Sequence, residues 1–344
     1  MSGQTVRRAG IRQVAAAAGV SMSTVSNVLN NPQVVADSTR LRVEAAMDRV
    51  GYVRNGAARQ LRGAPSAVVG CVLLDTANAY YSAVARGVED RLAEADCVLV
   101  QCSTDVQPER EERFLRLLEE QSVRGILVTP IGSHLDRLTR LHARGTPVVL
   151  LDHPRDGTGL CAATVDNVAG GELAAAHLLE LGHRRIAFVR SETAVRTISD
   201  RTRGIRRALR KAGLDPVRSL AEIRVGQGPI ETVATQAAGS LLALAPRPTG
   251  VICFNDATAL AMLRGLRLRG VRVPDELSVV GYDDVAFAAE LSPGLTTVRQ
   301  PTYHVGYAAA ELLLGETEPG HRHQEVLFHP RLVVRDSTAA PHPG

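Results

Sequence analysis

The chain has 344 residues, 45% hydrophobic and 22% charged, with a formal net charge of +4. That is enough for a small domain plus a larger one of two lobes, each with a packed core. No run approaches the ~18 uncharged apolar residues that span a bilayer, and MSGQTVRRAGIRQ has no apolar stretch behind its arginines. No membrane segment or secretory leader is therefore expected, and the cytoplasm is the default location.

The first sixty residues carry helical periodicity and most of the positive charge. Ile11, Val14, Ala15 and Ala18 fall on one face of a first helix that Gly19 ends. Ser21 is a good N-cap for a second helix, MSTVSNVLN, with Val25, Val28 and Leu29 facing inward and Asn31-Pro32 breaking it. Asp37 or Ser38 caps a third helix running to Val50, with Leu41, Ala45 and Met47 or Asp48 at its contact edge. Three short helices, the first two joined by a tight glycine turn, make an all-α helix-turn-helix head over residues 1–54. Residues 1–62 hold nine arginines against Asp37, Glu44 and Asp48, a balance of +6 that leaves −2 for the rest. A basic head on a slightly acidic body implies that the head alone meets a polyanion. Residues 55–66, NGAARQLRGAPS, hold a short helical segment and then a Gly/Pro linker.

From Ala67 the pattern alternates strands with helices. Strand-like runs are Val68–Leu74, Val98–Cys102, Gly125–Thr129, Pro147–Leu151, Arg185–Val189, Glu222–Val225, Gly250–Phe254 and Leu277–Val280. Near-continuous apolar strands alternating with helices give parallel sheets covered on both faces. Two Rossmann-like lobes follow, with a ligand cleft at the carboxyl ends of the strands, where Asp75, Asp152, Asn255 and Asp283 lie. The five cysteines form no CxxC pair, and His177, His183, His304, His321 and His323 show no metal spacing, so neither metal nor disulfides are expected. His183, in the GHRRI turn, reads as structural. The fragment Gly226-Gln227-Gly228 lacks the third glycine of a dinucleotide loop, and no nucleophile has both a base and an orienting partner; no cofactor and no enzyme activity are expected.

Several long stretches carry a resemblance: IRQVAAAAGVSMSTVSNVLNNPQVVADSTRLRVEAAMDRVGYVRNGAARQLR in the head, then VDNVAGGELAAAHLLELGHRRIAFV, RPTGVICFNDATALAMLRGLRLRGVRVPDELSVVGYDD and LTTVRQP. Over nearly its whole length the chain resembles the LacI/GalR family of bacterial transcription regulators. The resemblance implies a homodimer whose heads bind a pseudo-palindromic double-stranded operator. It also implies a periplasmic-binding-protein-like α/β core at 67–336 that senses a small effector, a sugar or related metabolite. By the same resemblance, lobe 1 is about 67–164 and 298–325, and lobe 2 about 165–297 and 326–336. DSTAAPHPG has no leucine heptads for a tetramer-forming coil, and residues 337–344 read as a flexible tail. A solute-binding protein of the same core fold is the alternative; it requires export and has no use for a basic head.

The family pattern also assigns residues. It places DNA contacts at Ser21, Met22, Ser23 and Asn27, with Thr24 and Ser26 suited to phosphate. Asn27 departs from the family's usual arginine; an asparagine pairs with adenine N6 and N7 or else holds a phosphate. Asn55, Ala58, Arg59 and Leu61 match the family's hinge helix, whose leucine wedges into the minor groove. Effector contacts map onto Tyr80, Tyr81, Asp152, Arg201, Asn255 and Asp283, with Gln300 a weaker candidate. Thr302 falls where some relatives place a larger apolar residue. Strand-end caps or salt bridges are the alternative roles for Asp152 and Asp283.

Overall fold

The computed structural model describes residues 9–54, 60, 63, 65–132, 135–193, 195–226, 228 and 230–342, which fall into two units, 1–66 and 67–344. In the head, α1 (Ile11–Ala18), α2 (Met22–Asn30) and α3 (Asp37–Val50) enclose a core in which Val14, Val25, Val43 and Ala46 are fully buried. Gly19 turns the chain from α1 to α2 with a left-handed φ of 63°, a conformation glycine adopts without steric cost. Ser21 caps α2, its hydroxyl accepting the Thr24 N–H at 3.1 Å.

The third helix corrects one expectation. Its inward face is Val43 and Ala46, with Met47 and Val50 packed against the same core, whereas Leu41 is 61% exposed and Ala45 is also exposed. Val43, Ala46, Met47 and Val50 are spaced i, i+3, i+4 and i+7, the repeat a buried stripe requires. Leu41 sits roughly 200° around the helix from Val43. Its apolar character alone suggested burial.

The second unit contains two six-stranded sheets. The first lobe supplies β1 (Val68–Leu73), α4 (Ala79–Ala93), β2 (Val98–Ser103), α5 (Pro108–Glu120), β3 (Gly125–Val128), α6 (Asp136–Ala143), β4 (Val148–Leu151) and β5 (Cys161–Val165). The second supplies α7 (Asn167–Glu180), β6 (Ile186–Ser191), α8 (Arg196–Lys211), α9 (Pro216–Ser219), β7 (Leu220–Val225), α10 (Ile230–Leu242), β8 (Gly250–Cys253), α11 (Asp256–Arg267), β9 (Ser278–Asp283) and β10 (Thr296–Arg299). The chain then returns to the first lobe for α12 (Thr302–Gly315) and β11 (Glu325–Phe328), and ends in the second with β12 (Arg331–Val333). Strand orders are β11-β5-β4-β3-β1-β2 and β12-β10-β9-β8-β6-β7. The pairings are parallel except β10 with β12. β1, β3, β4, β6, β8 and β9 are apolar and buried by the helices that cover them, as parallel strands must be.

The last crossings fall later than expected. Residue 297/298 lies inside β10, which pairs with β9, and 325/326 lies inside β11, which pairs with β5 from Glu325↔Ala162 to Phe328↔Val165. The chain therefore crosses at Gln300–Pro301 and again between Phe328 and Arg331. β5, β10, β11 and β12 escape sequence reading because they are short and mix alanine, threonine and charged residues. Thr296 and Thr297 of β10 are nonetheless fully buried, their hydroxyls donating to the Arg335 carbonyl (3.1 Å) and Asp256 Oδ1 (2.6 Å). A satisfied hydroxyl can be buried like a methyl group.

Residues 337–342 are not the loose tail that their composition suggested. Ser337 is fully buried, exchanging main-chain and hydroxyl hydrogen bonds with Val279 and accepting the Thr296 N–H at 2.8 Å. Thr338 meets His177 at 2.9 Å, and the Ala339 carbonyl accepts from the Ser278 hydroxyl at 3.0 Å. The docking uses the main chain of Ser337 and Ala339 together with the Ser337 and Thr338 hydroxyls, whose partners lie far off in sequence and are invisible to composition.

Helices α7 and α8 pack almost backbone to backbone. A Cβ on Gly171 would lie 2.1 Å from the Arg201 carbonyl oxygen, and one on Gly204 would lie 2.0 Å from that of Val168. Gly171→Ala is therefore expected to destabilise the protein by about 1–3 kcal/mol through overpacking, read as a lower urea midpoint; an unchanged midpoint would show that the two helices can part without cost.

Candidate functional site

The head presents one polar helix face. Ser21, Met22 (53% exposed), Ser23 and Asn27 face outward, while Thr24 and Ser26 are half-buried. The hydroxyls of Ser21, Ser23 and Thr24 cluster at the helix start, with Ser21 Oγ 2.7 Å from Ser23 Oγ and 2.8 Å from Thr24 Oγ1. The first turn of α2 holds no acidic residue, so its N–H groups and the positive end of the helix dipole favour an anion. Arg54 fastens the other end of α2, donating to the Leu29 carbonyl and, at 2.9 Å, to Asn30 Oδ1. The hinge candidates Asn55, Ala58, Arg59 and Leu61 lie outside the described residues.

In the second unit the carboxyl ends of the strands from both lobes open onto a cavity of about 430 Å³, a volume ordinary for a small-molecule site. All six sequence-assigned residues line it: Tyr80, Tyr81 and Asp152 from the first lobe, Arg201, Asn255 and Asp283 from the second. Gln300 and Thr302 do not line it, but Gln300 Nε2 donates to Asp283 Oδ1 at 2.7 Å and so holds that carboxylate from behind. Asn78 caps α4 by accepting from the Tyr80 N–H at 3.0 Å, which fixes where the two tyrosines emerge. Their rings meet edge to face, centroids 5.0 Å apart. Asn255 caps α11 by accepting from the Thr258 N–H at 2.8 Å, leaving its NH₂ group for other partners.

Arg201 is the centre of this arrangement. It is only 6% exposed; its Nε donates to Asn167 Oδ1 at 2.9 Å, Nη1 donates to the Phe254 carbonyl, and the guanidinium lies 3.5 Å from the centroid of the Tyr282 ring. Asn167 also accepts from the Tyr282 hydroxyl at 3.3 Å and donates to Asp152 Oδ1 at 3.4 Å. Sequence reading missed Asn167 and Tyr282. Each stands in a quoted motif, VDN and VGYDD, but spacing along the chain does not show that they meet.

Burial works against the charge on Arg201, and Tyr282, Asp283 and Asp152 more than offset it. The carboxylates bear the converse cost. Burial raises Asp152 to about 6 against the pull of Arg201 and Asn167, and burial lifts Asp283 well above the usual carboxylate range against Arg201. The Tyr80 hydroxyl lies near enough to favour the Asp152 carboxylate but off hydrogen-bonding geometry, and among the described residues this buried donor has no hydrogen-bond partner. Backbone strain collects at the same strand ends: Asp105, Val106, Asp152 and Asp283 have φ of 49°, 55°, 52° and 112°, conformations that surrounding structure must impose.

Two expectations about histidines divide. His183 is buried and bonded to Thr249 (2.8 Å), Ser278 (3.1 Å) and the Ala339 carbonyl (3.0 Å), a structural role. His321 and His323, whose spacing promised no metal site, are instead brought beside Cys161 and Glu316, with one donor atom from each lying within 4.8 Å of the others. The chain folds Cys161 against a His-x-His turn 160 residues downstream, which no local spacing rule detects.

Residues 10–55 match the family model of bacterial regulatory proteins, lacI family, and residues 175–338 match that of the periplasmic binding protein-like domain. The HTH-type transcriptional regulator DegA of Bacillus subtilis (strain 168) is 34% identical over 334 residues, 96% of this chain and 98% of that protein. Among solved structures, the lac repressor dimer bound to operator and the anti-inducer ONPF aligns with a TM-score of 0.83 at 27% identity, over 97% of this chain and 100% of that one. The complex of the transcriptional regulator CelR with cellobiose aligns with a TM-score of 0.70 at 30% identity, over 96% and 100%.

Replacing Arg201 by Met strips Asp152 and Asp283 of their common cation. The variant is expected to lose about 3–5 kcal/mol of unfolding free energy, and adding Asp283→Asn should restore part of it. If the second change brings no recovery in urea melts, the loss comes from packing rather than charge.

Proposed function

Because the chain belongs to the lacI family of bacterial regulatory proteins, we infer that it is a sequence-specific repressor governed by a polyhydroxyl effector, a sugar or related metabolite. It holds a pseudo-palindromic operator as a homodimer, and occupation of the cleft alters that hold. A DNA-binding regulator of this kind works in the cytoplasm, and no helix among the described residues is long and apolar enough to cross a membrane. Its relatives are regulators rather than enzymes.

The observation that carries the effector reading is the polar set converging on one cavity. Asp152 and Asp283 accept, Arg201 and the Asn255 NH₂ donate, and vicinal sugar hydroxyls do both. Tyr81 and Phe254 line the same space and offer faces to the C–H side of a pyranose. The contributions come from both lobes, so a ligand gripping Asp152 and Arg201 together biases how the lobes close. For the dimer, Val98 and Val100 on the edge strand β2 are 58% and 43% exposed, apolar surface that a second copy would cover.

On the DNA, Asn27 reads adenine through its amide while Met22 packs on a thymine methyl, with Ser21, Ser23, Thr24 and Ser26 on phosphates or weakly discriminating edges. The head's arginines supply the phosphate attraction that α2 itself lacks. Asn55, Ala58, Arg59 and Leu61, which lie outside the described residues, match the family's hinge, whose leucine enters the minor groove of the operator.

Selection from randomised DNA tests the reading head. Wild type should enrich a palindrome, and Asn27→Arg should move one position per half-site from adenine toward guanine by about 1–3 kcal/mol. No enrichment would remove the operator reading, and an unchanged preference would assign Asn27 to phosphate. Calorimetry with the sugar that releases the operator tests the cleft. Bound hydroxyls favour the Asp152 carboxylate, so binding expels a proton wherever the free protein holds one, below its pKa of about 6. Affinity should then rise from about pH 5 to about pH 7 and level off above. In Asp152→Asn that rise should shrink to the share that Asp283, also lifted by burial, contributes; an undiminished rise would place the titrating group elsewhere.

A further inference from the structure

We propose that Cys161, Glu316, His321 and His323 form a zinc site in the first lobe, remote from the effector cavity. Cys161 opens β5, Glu316 follows the last residue of α12, and His321 and His323 stand in the turn that leads into β11. β5 and β11 are parallel neighbours, Glu325 opposite Ala162, so the cluster sits at the amino end of the sheet. The cavity lies at the carboxyl ends.

Four of the six separations within the cluster fit a zinc tetrahedron, and all four donor atoms lie within 4.8 Å of one another. Cys161 Sγ is 3.2 Å from His321 Nε2 and 3.7 Å from His323 Nδ1; Glu316 Oε1 is 3.5 Å from His321 Nε2 and 3.3 Å from His323 Nδ1. Zinc at ~2.3 Å from sulfur and ~2.0–2.1 Å from nitrogen and oxygen would give edges of roughly 3.3–3.6 Å. At 3.3 Å the His323–Glu316 contact is a long hydrogen bond by itself, past the ~2.7–3.2 Å of a strong N–H···O bond.

Charge and surroundings point the same way. The Glu316 side chain is only 2% exposed, and its ion-pair partners among the described residues are these two histidines, with no arginine or lysine. A buried carboxylate without a fixed cation is costly. A thiolate, a carboxylate and two neutral imidazoles balance one divalent ion. Cys161 is fully buried and receives the Gln324 N–H at 3.5 Å, the kind of outer donor that supports a metal-bound sulfur. Sulfur and imidazole ligands select zinc over calcium or magnesium, and four protein ligands leave no open position, so the ion staples rather than catalyses. It ties the 316–323 turn to the edge of β5.

The test uses untagged full-length protein stripped of metal. Zinc, titrated against a chromophoric chelator, should bind at one equivalent per chain and raise the melting temperature. Cobalt(II) in its place should show tetrahedral d–d bands and a thiolate charge-transfer band. Cys161→Ser should abolish the charge-transfer band, and His321→Ala with His323→Ala should weaken zinc by more than about 100-fold, beyond what loss of an outer partner costs. Cys102→Ser, altering a thiol on β2, should change neither. Failure of stripped wild type to bind zinc would overturn the proposal. So would cobalt without a charge-transfer band, or zinc affinity unchanged in the histidine double variant while its far-ultraviolet circular dichroism stays native.

Discussion

A guanidinium taken out of water must recover hydrogen bonds and counter-charge from the protein, and the cleft is arranged around doing this for Arg201. Asn167 and the Phe254 carbonyl receive its N–H groups, the Tyr282 face covers it, and two carboxylates balance it. Burial costs the two acids more than their one shared cation returns, and this is why both are pushed upward. A site with that imbalance favours a ligand rich in hydroxyl donors. The same hydrogen bonds run from Arg201 through Asn167 to Asp152, from the second lobe to the first. Ligand chemistry and lobe geometry are thus joined in one network.

That network needs an exact placement of α8, and the packing provides it. Gly171 and Gly204 let α7 and α8 approach until backbone meets backbone, which sets Arg201 relative to Asn167 at the start of α7. Asp256, raised to about 6 by burial, accepts from Thr297 and from the Val285 N–H. It thereby braces β10 and the loop after Asp283. Docked residues 337–339 close the far end of the same sheet. Strained φ values at Asp152 and Asp283 persist because these surroundings determine them.

The head works by a different economy of charge. Its α2 is neutral, so on the proposed function discrimination falls to hydroxyls, one amide and the helix terminus, and phosphate attraction to arginines elsewhere in the head.

The sequence by itself determined the helix-turn-helix head, the alternation of buried strands and helices, and the polar residues at the strand ends. Each of these is a local pattern: period 3.6, short apolar runs, a capping serine, motifs such as VDN and VGYDD. Local pattern also misled. Leu41 looked like core, the final residues looked loose, and β5, β10, β11 and β12 were silent because their stability comes from neighbouring strands. Only the tertiary structure decided that Asn167 and Tyr282 hold Arg201, that the crossings fall at Gln300–Pro301 and after Phe328, and that Cys161 meets Glu316, His321 and His323. Contacts between residues from about 34 to more than 160 positions apart depend on how helices pack and strands register, and no spacing along the chain encodes that distance.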